Sequence, residues 1–164
     1  MTRAACTRGD SPVVDVIVDS SRWADEPGAA ATVRRAIDEA AGACGGTAGG
    51  EVAVVLIDDQ AIRALNRRWR NLDRPTNVLS FPAAGTVAGM LGDIAIAYET
   101  TAREAQEAGK PVLDHLAHLA VHGFLHLLGY DHQSDETADA MEGLERAILL
   151  RLGVPDPYLA HHAG

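Results

Sequence analysis

The chain has 164 residues, 47% hydrophobic and 23% charged, a composition typical of about one globular domain. That excludes a wholly disordered or collagen-like chain, and the length suffices to bury a core without disulfide staples. The formal net charge of −9 argues against a protein that coats nucleic acid over its whole surface, though a local basic patch stays open.

Residues 1–12 are polar and are expected to form a flexible N-terminus, residues 13–158 a single domain, and residues 159–164 a flexible tail. Val13 to Val18 (VVDVIV) is β-branched and reads as a strand. Residues 27–43 carry Val33, Ile37 and Ala40 at helical spacing. The glycine-rich run 45–50 is a loop: it lacks the Lys-Ser/Thr ending of a phosphate-binding loop and precedes a strand instead of a helix. Glu51 to Ile57 reads as a buried strand. Asp58 or Asp59 caps a helix over about 60–70, with Ile62, Leu65 and Trp69 as its inward stripe. Strands follow at 77–81, stopped by Pro82, and at 92–98, with a loop at 85–89 between them. A helix over 100–108 ends at Gly109. Pro111 opens the next helix, 112–128, which is apolar nearly all round and therefore central. Ser134 caps a last helix with Met141, Leu144, Ile148 and Leu152 on its buried side, stopped by Gly153 and Pro155.

Two cysteines, Cys6 and Cys44, make neither a disulfide framework nor a cysteine zinc site. The first residues lack a signal-peptide apolar run, and no stretch reaches the roughly 18 apolar residues of a membrane span, so a cytoplasmic protein is expected.

Five of the seven histidines lie between residues 115 and 132. His122 and His126 are four apart, so a helix puts both rings on one side, where a single ion can touch both. A straight helix would lift His132 by about 9 Å more, beyond the reach of Zn–N bonds of about 2.0–2.1 Å. Gly129 offers the turn: glycine readily takes the left-handed conformation that ends a helix, letting the chain bring His132 back to the same ion. Three neutral imidazoles leave a fourth tetrahedral position open, the composition of a catalytic zinc site. Zinc is the first choice, with nickel or another borderline metal as the alternative. His118 and His122 form a competing four-residue pair; His118 is read as a packing group or as one that orients a ligand. His115 is weaker still. Asp131 either orients a liganding imidazole or is an ordinary loop carboxylate.

The ordering is similar to the metzincin signature HExxHxxGxxH, with one departure. Gly123 stands where a peptidase has its glutamate base, which argues against zinc proteolysis. A metal held here would still activate water or polarise a phosphoryl oxygen.

Positive charge is concentrated in one stretch: five of the fourteen basic residues, Arg63, Arg67, Arg68, Arg70 and Arg74, fall within twelve positions. On an otherwise acidic chain this stripe would draw a phosphate backbone to one place. A solvated helix face is the alternative for Arg63 and Arg67. Trp69 either stacks a base or, as part of an amphipathic helix, packs in the core.

Residues 122–132 (HGFLHLLGYDH) resemble the signature of the YbeY family of bacterial ribosomal-RNA maturation endoribonucleases. Residues 65–82 (LNRRWRNLDRPTNVLSFP) resemble its second motif, residues 91–94 (LGDI) its third, and Asp156-Pro-Tyr158 also fits. The match covers most of residues 50–158. The resemblance implies an α+β fold with a mixed sheet of about four strands and a central helix bearing the metal. It implies one zinc per chain on His122, His126 and His132, and a functional arginine at Arg70. The implied activity is metal-dependent cleavage of single-stranded RNA in small-subunit ribosomal RNA maturation and ribosome quality control. Arg70, whose guanidinium fork matches two phosphate oxygens, would neutralise charge growing on phosphorus. Asn77 and Ser80 are candidate substrate contacts, with turn or packing roles as the alternative.

No general base is evident. Attack by water leaves a phosphomonoester, and attack by the RNA 2′-hydroxyl a 2′,3′-cyclic phosphate. Two other classes remain at this level: a zinc-stabilised ribosome-assembly factor without catalysis, and a zinc peptidase.

Overall fold

Hydrophobic alternation in the strands divides the molecule into two layers on either side of one sheet. The structure, a computed structural model, describes residues 11–45, 49–83, 89–131 and 133–157. Residues 1–10, the tail from 158, part of each glycine-containing loop (46–48 and 84–88) and His132 lie outside the described residues, and with them the expectations placed there.

β1 (Val13–Val18), β2 (Glu51–Ile57), β3 (Val78–Pro82) and β4 (Met90–Ala97) form a sheet of order β1-β2-β4-β3. β1 pairs parallel with β2 and β2 parallel with β4, whereas β3 returns antiparallel to β4. The fold is thus α+β with a mixed four-stranded sheet, as the sequence resemblance implies. Val52, Val54, Leu56, Ile94 and Ile96 point into the main core. Their neighbours Ile57, Leu79, Ala95 and Ala97 point to the opposite side, into a smaller cluster around Ile62.

On the main face lie α2 (Ala29–Ala43), α5 (Val112–Leu127) and α6 (Asp135–Arg151), with α4 (Tyr98–Ala108) packed beside α5. α5 touches α2, α4, α6, β3 and β4, the central position that its all-round apolar sequence predicts. Among the described residues, α3 (Asp59–Arg70) alone lies on the other face, sealed by Ile62 and Leu65.

Three local departures from the sequence expectations have physical causes. A four-residue helix, α1 (Ser21–Ala24), is too short to show a helical period; Ser20 caps it, and Trp23, 1% exposed, donates its indole N–H to the carbonyls of Ile57 and Ile96 at 3.1 and 3.2 Å. Tyr98, expected at a strand end, starts α4. That start is held by a distant group: Asp59 accepts from the Thr100 backbone N–H and hydroxyl, while Glu99 accepts from the Asp59 N–H. The two helix N-termini therefore cap each other with carboxylates, which suits the positive end of each helix dipole. Trp69, expected among the inward stripe, is 60% exposed; Ile62 and Asn66 are the buried residues of α3.

Gly92, in the LGDI segment, explains its own presence. Its φ is +142°, and an added Cβ would lie 2.4 Å from the Phe81 carbonyl oxygen and 2.8 Å from a Leu127 methyl. β4, β3 and the end of α5 meet here without room for a side chain. Gly92→Ala is expected to lose about 2 kcal/mol or more, read from denaturant unfolding.

Candidate active site

The site is built on α5, which carries His115, His118, His122 and His126 at three- and four-residue intervals. The four rings do different things. His115 is buried and its Nε2 lies 2.8 Å from Glu104, which also accepts from the Asn77 amide at 2.9 Å. Burial pushes Glu104 up, but these two hydrogen bonds outweigh it and hold its carboxyl below the usual range.

His118 and His122 converge on Glu145 of α6. The His118 Nε2 lies 2.9 Å from one carboxylate oxygen and the His122 Nδ1 2.8 Å from the other. Glu145 is 0% exposed. Burial alone would raise its pKa, yet the hydrogen bonds from His118 and His122 hold it at about 2. Burial also lowers His118, more than Glu145 raises it, so His118 is a neutral imidazole that donates Nε2–H. His118, His122 and Glu145 offer ligand atoms within 4.8 Å of one another, a set able to hold a metal ion.

With Nδ1 engaged by Glu145, His122 turns its Nε2 toward the Nε2 of His126, 3.1 Å away. Two ring nitrogens on one tetrahedral zinc, with bonds of about 2.0–2.1 Å, sit about 3.3 Å apart. The His122–His126 pair therefore also fits a metal, and both residues line an open cleft. α5 then ends as its glycine predicts: Gly129 has φ +102°, and the Tyr130 N–H reaches back to the Leu125 carbonyl. The placement of His132 falls outside the described residues.

The cleft, about 250 Å³, is lined by Arg70, Val78, Leu79, Ser80, Pro82, His122 and His126. Arg70 is the last residue of α3, which stops at Asn71 in the left-handed region (φ 57°). Its Nη2 donates to the Ser80 carbonyl at 3.2 Å. The Ser80 hydroxyl donates to the Gly123 carbonyl at 2.9 Å, tying β3 to α5. At Gly123 an added Cβ would stand 3.0 Å from Ile94, 3.1 Å from the Ser80 hydroxyl and 3.3 Å from Val78. Any side chain there would crowd Ile94, Val78 and the Ser80 hydroxyl, so packing, like the sequence, argues against the peptidase glutamate at this position.

Of the residues singled out from sequence, His122, His126, Arg70 and Ser80 share the cleft. Asn77 does not line it. Its amide holds Glu104 and its carbonyl oxygen accepts the Val78 N–H. Asp131 accepts from the Gln133 N–H, a turn contact, and exposed Arg63 pairs with Asp73 at 2.8 Å. Glu145 escaped the sequence reading. Its signal is a charged residue in register with Met141 and Ile148 on the buried stripe of α6.

Comparison with known proteins agrees with this architecture. The family model described as Endoribonuclease YbeY matches residues 18–153. A protein of Rhodopseudomonas palustris strain CGA009 named Endoribonuclease YbeY is 54% identical over 162 residues, covering 94% of this chain and 85% of its own. One of the same name from Nitrobacter hamburgensis is 53% identical, covering 90% and 82%. A Thermotoga maritima protein with a known solution structure superposes with a TM-score of 0.57 at 23% identity, covering 85% of this chain and 91% of its own, and shares the fold. These matches place the chain in a class of endoribonucleases. The chain belongs to the YbeY endoribonuclease family.

The electrostatics of Glu145 make a pH prediction. The unfolded chain binds more protons than the folded one in acid, through His118 below its ordinary 6.5 and through Glu145 below its ordinary 4.5. The Glu145 contribution is complete above about pH 4.5 and is lost as pH falls toward about 2. Glu145→Gln leaves one acceptor where two donors converge and is expected to cost about 1.5–3 kcal/mol at neutral pH. Unfolding measured across pH should show the gap to wild type narrowing below about 4.5.

Proposed function

We propose that this chain is a zinc-dependent endoribonuclease that cuts single-stranded RNA, acting in the cytoplasm in small-subunit ribosomal RNA maturation and ribosome quality control. The observation that carries the reading is the convergence, in one cleft, of two imidazole Nε2 atoms 3.1 Å apart with the guanidinium-bearing end of α3. His122, His126 and His132 are the proposed ligands of one zinc ion. The left-handed turn at Gly129 supports the return of the chain that His132 needs. When bound, the metal supplies Lewis acidity that activates water or polarises a phosphoryl oxygen.

The chain's own residues account for the rest. Glu145 accepts the His122 Nδ1–H, fixing the tautomer that leaves Nε2 as an electron-pair donor. His118 donates to the other oxygen of the same carboxylate and keeps it aimed. Arg70 spends one N–H on the Ser80 carbonyl and retains the others of its fork for phosphate oxygens. Ser80 lines the cleft with acceptor capacity left on its hydroxyl, as a substrate contact. Asn77 acts at one remove, holding Glu104 and the start of β3. The substrates and partners that follow are single-stranded RNA, ribosomal RNA and the small ribosomal subunit. Among the described residues no helix is long and apolar enough to cross a membrane.

Two substitutions test the assignment. Arg70→Ala is expected to keep the circular dichroism spectrum and bound metal of the wild type while cleavage of an unstructured RNA falls about 10²–10³-fold. Loss of fold would make Arg70 structural. His126→Ala is expected to lower metal stoichiometry by elemental analysis. Unchanged stoichiometry would move the metal to His118, His122 and Glu145.

A further inference from the structure

α3 covers only part of the sheet face on which it lies. Beside it runs a groove of about 790 Å³ with Val55, Asp93 and Ala95 among its sheet residues and Leu65 and Trp69 on its helix side. Arg70, Ser80 and Pro82 line both this groove and the smaller cleft, so the two are continuous. Trp69 stands 60% exposed, edge-on to Phe81 at 6.3 Å between ring centroids, with the Arg68 guanidinium 5.1 Å over its ring. An indole left in water beside guanidinium groups is a ready stacking platform.

The groove combines three chemistries. Flat aromatic surface stacks on nucleobases and tolerates any sequence. The Arg70 guanidinium in its lining, with Arg68 close by over the Trp69 ring, suits phosphates. Asp93, exposed on β4, repels phosphate but accepts hydrogen bonds from base N–H groups. A strand entering the groove therefore turns its bases inward, toward Trp69 and Asp93, and leaves its backbone beside the arginines. That polarity matches neither a lipid surface nor an acidic peptide.

We propose that this groove holds bases of the single-stranded RNA that flank the bond to be cut, with Trp69 as the stacking platform and Asp93 as the acceptor that selects bases by their N–H groups. The inference rests on the ribonuclease reading of the adjoining cleft and deepens it. Guanine, which offers two adjacent N–H donors to one carboxylate, is favoured in the groove. Uracil, whose single N–H lies between two carbonyls, is disfavoured.

Trp23 is 1% exposed, so of the two tryptophans only Trp69 can report on RNA by fluorescence quenching. An unstructured ten-nucleotide RNA is expected to quench the wild type, and a guanine-rich sequence to bind more tightly than a uridine-rich one. Trp69→Ala should raise KM about tenfold, with a smaller effect on kcat, and Trp69→Phe should restore it. Asp93→Asn should erase the guanine preference. Wild-type KM on naked RNA in Trp69→Ala, with no quenching in the native protein, overturns the proposal and leaves the face to a protein partner. Quenching by RNA in a wild-type protein that cuts no RNA upholds the groove and overturns the ribonuclease reading.

Discussion

A carboxylate with no access to water sits between two helices, and the site takes its shape from what that carboxylate demands. Glu145 stays ionised at 0% exposure only because His118 and His122 each supply an N–H. An unpaired charge there would be too costly to bury. The pairing pins α6 to α5 and sets the rotation of both rings. It also decides which nitrogen of His122 is left to face the cleft, and so where a metal can sit.

The second half of the site depends on close approach. At Gly92 the β3 backbone leaves no space for a Cβ, and at Gly123 α5 packs tightly on side chains of β3 and β4. The Ser80 hydroxyl bridges the contact, and the carbonyl of the same residue receives Arg70. A single residue of β3 thus ties the histidine helix on one face of the sheet to the arginine helix on the other. This explains why three of the family-like stretches converge although they lie apart in sequence: one supplies the end of α3 and β3, one the glycine of β4, and one the helix with its turn.

Much of this was legible from residue order. The strands announced themselves by β-branched alternation, α5 by its uninterrupted apolarity, and the turn after it by Gly129. The His122–His126 spacing is a direct consequence of helical geometry. Glu145 was hidden because a glutamate in an apolar register looks like a solvated position until its partners are known. Trp69 was misplaced because periodicity counts an indole as core, while one short helix cannot cover a four-stranded sheet. α1 and the mutual capping of α3 and α4 were invisible because both rest on contacts across 34 residues or more.

Trp23 gives the fold a built-in order of assembly. Its indole N–H reaches the carbonyls of Ile57 and Ile96, so one side chain near the start of the chain fastens the ends of two strands, 34 and 73 residues further on. During synthesis that fastening waits until β4 has emerged. Until then the Trp23 N–H has only the Ile57 carbonyl of its two acceptors within reach. A chain of the YbeY endoribonuclease family is thus, for most of its own synthesis, missing the side-chain bond that joins the ends of two of its strands.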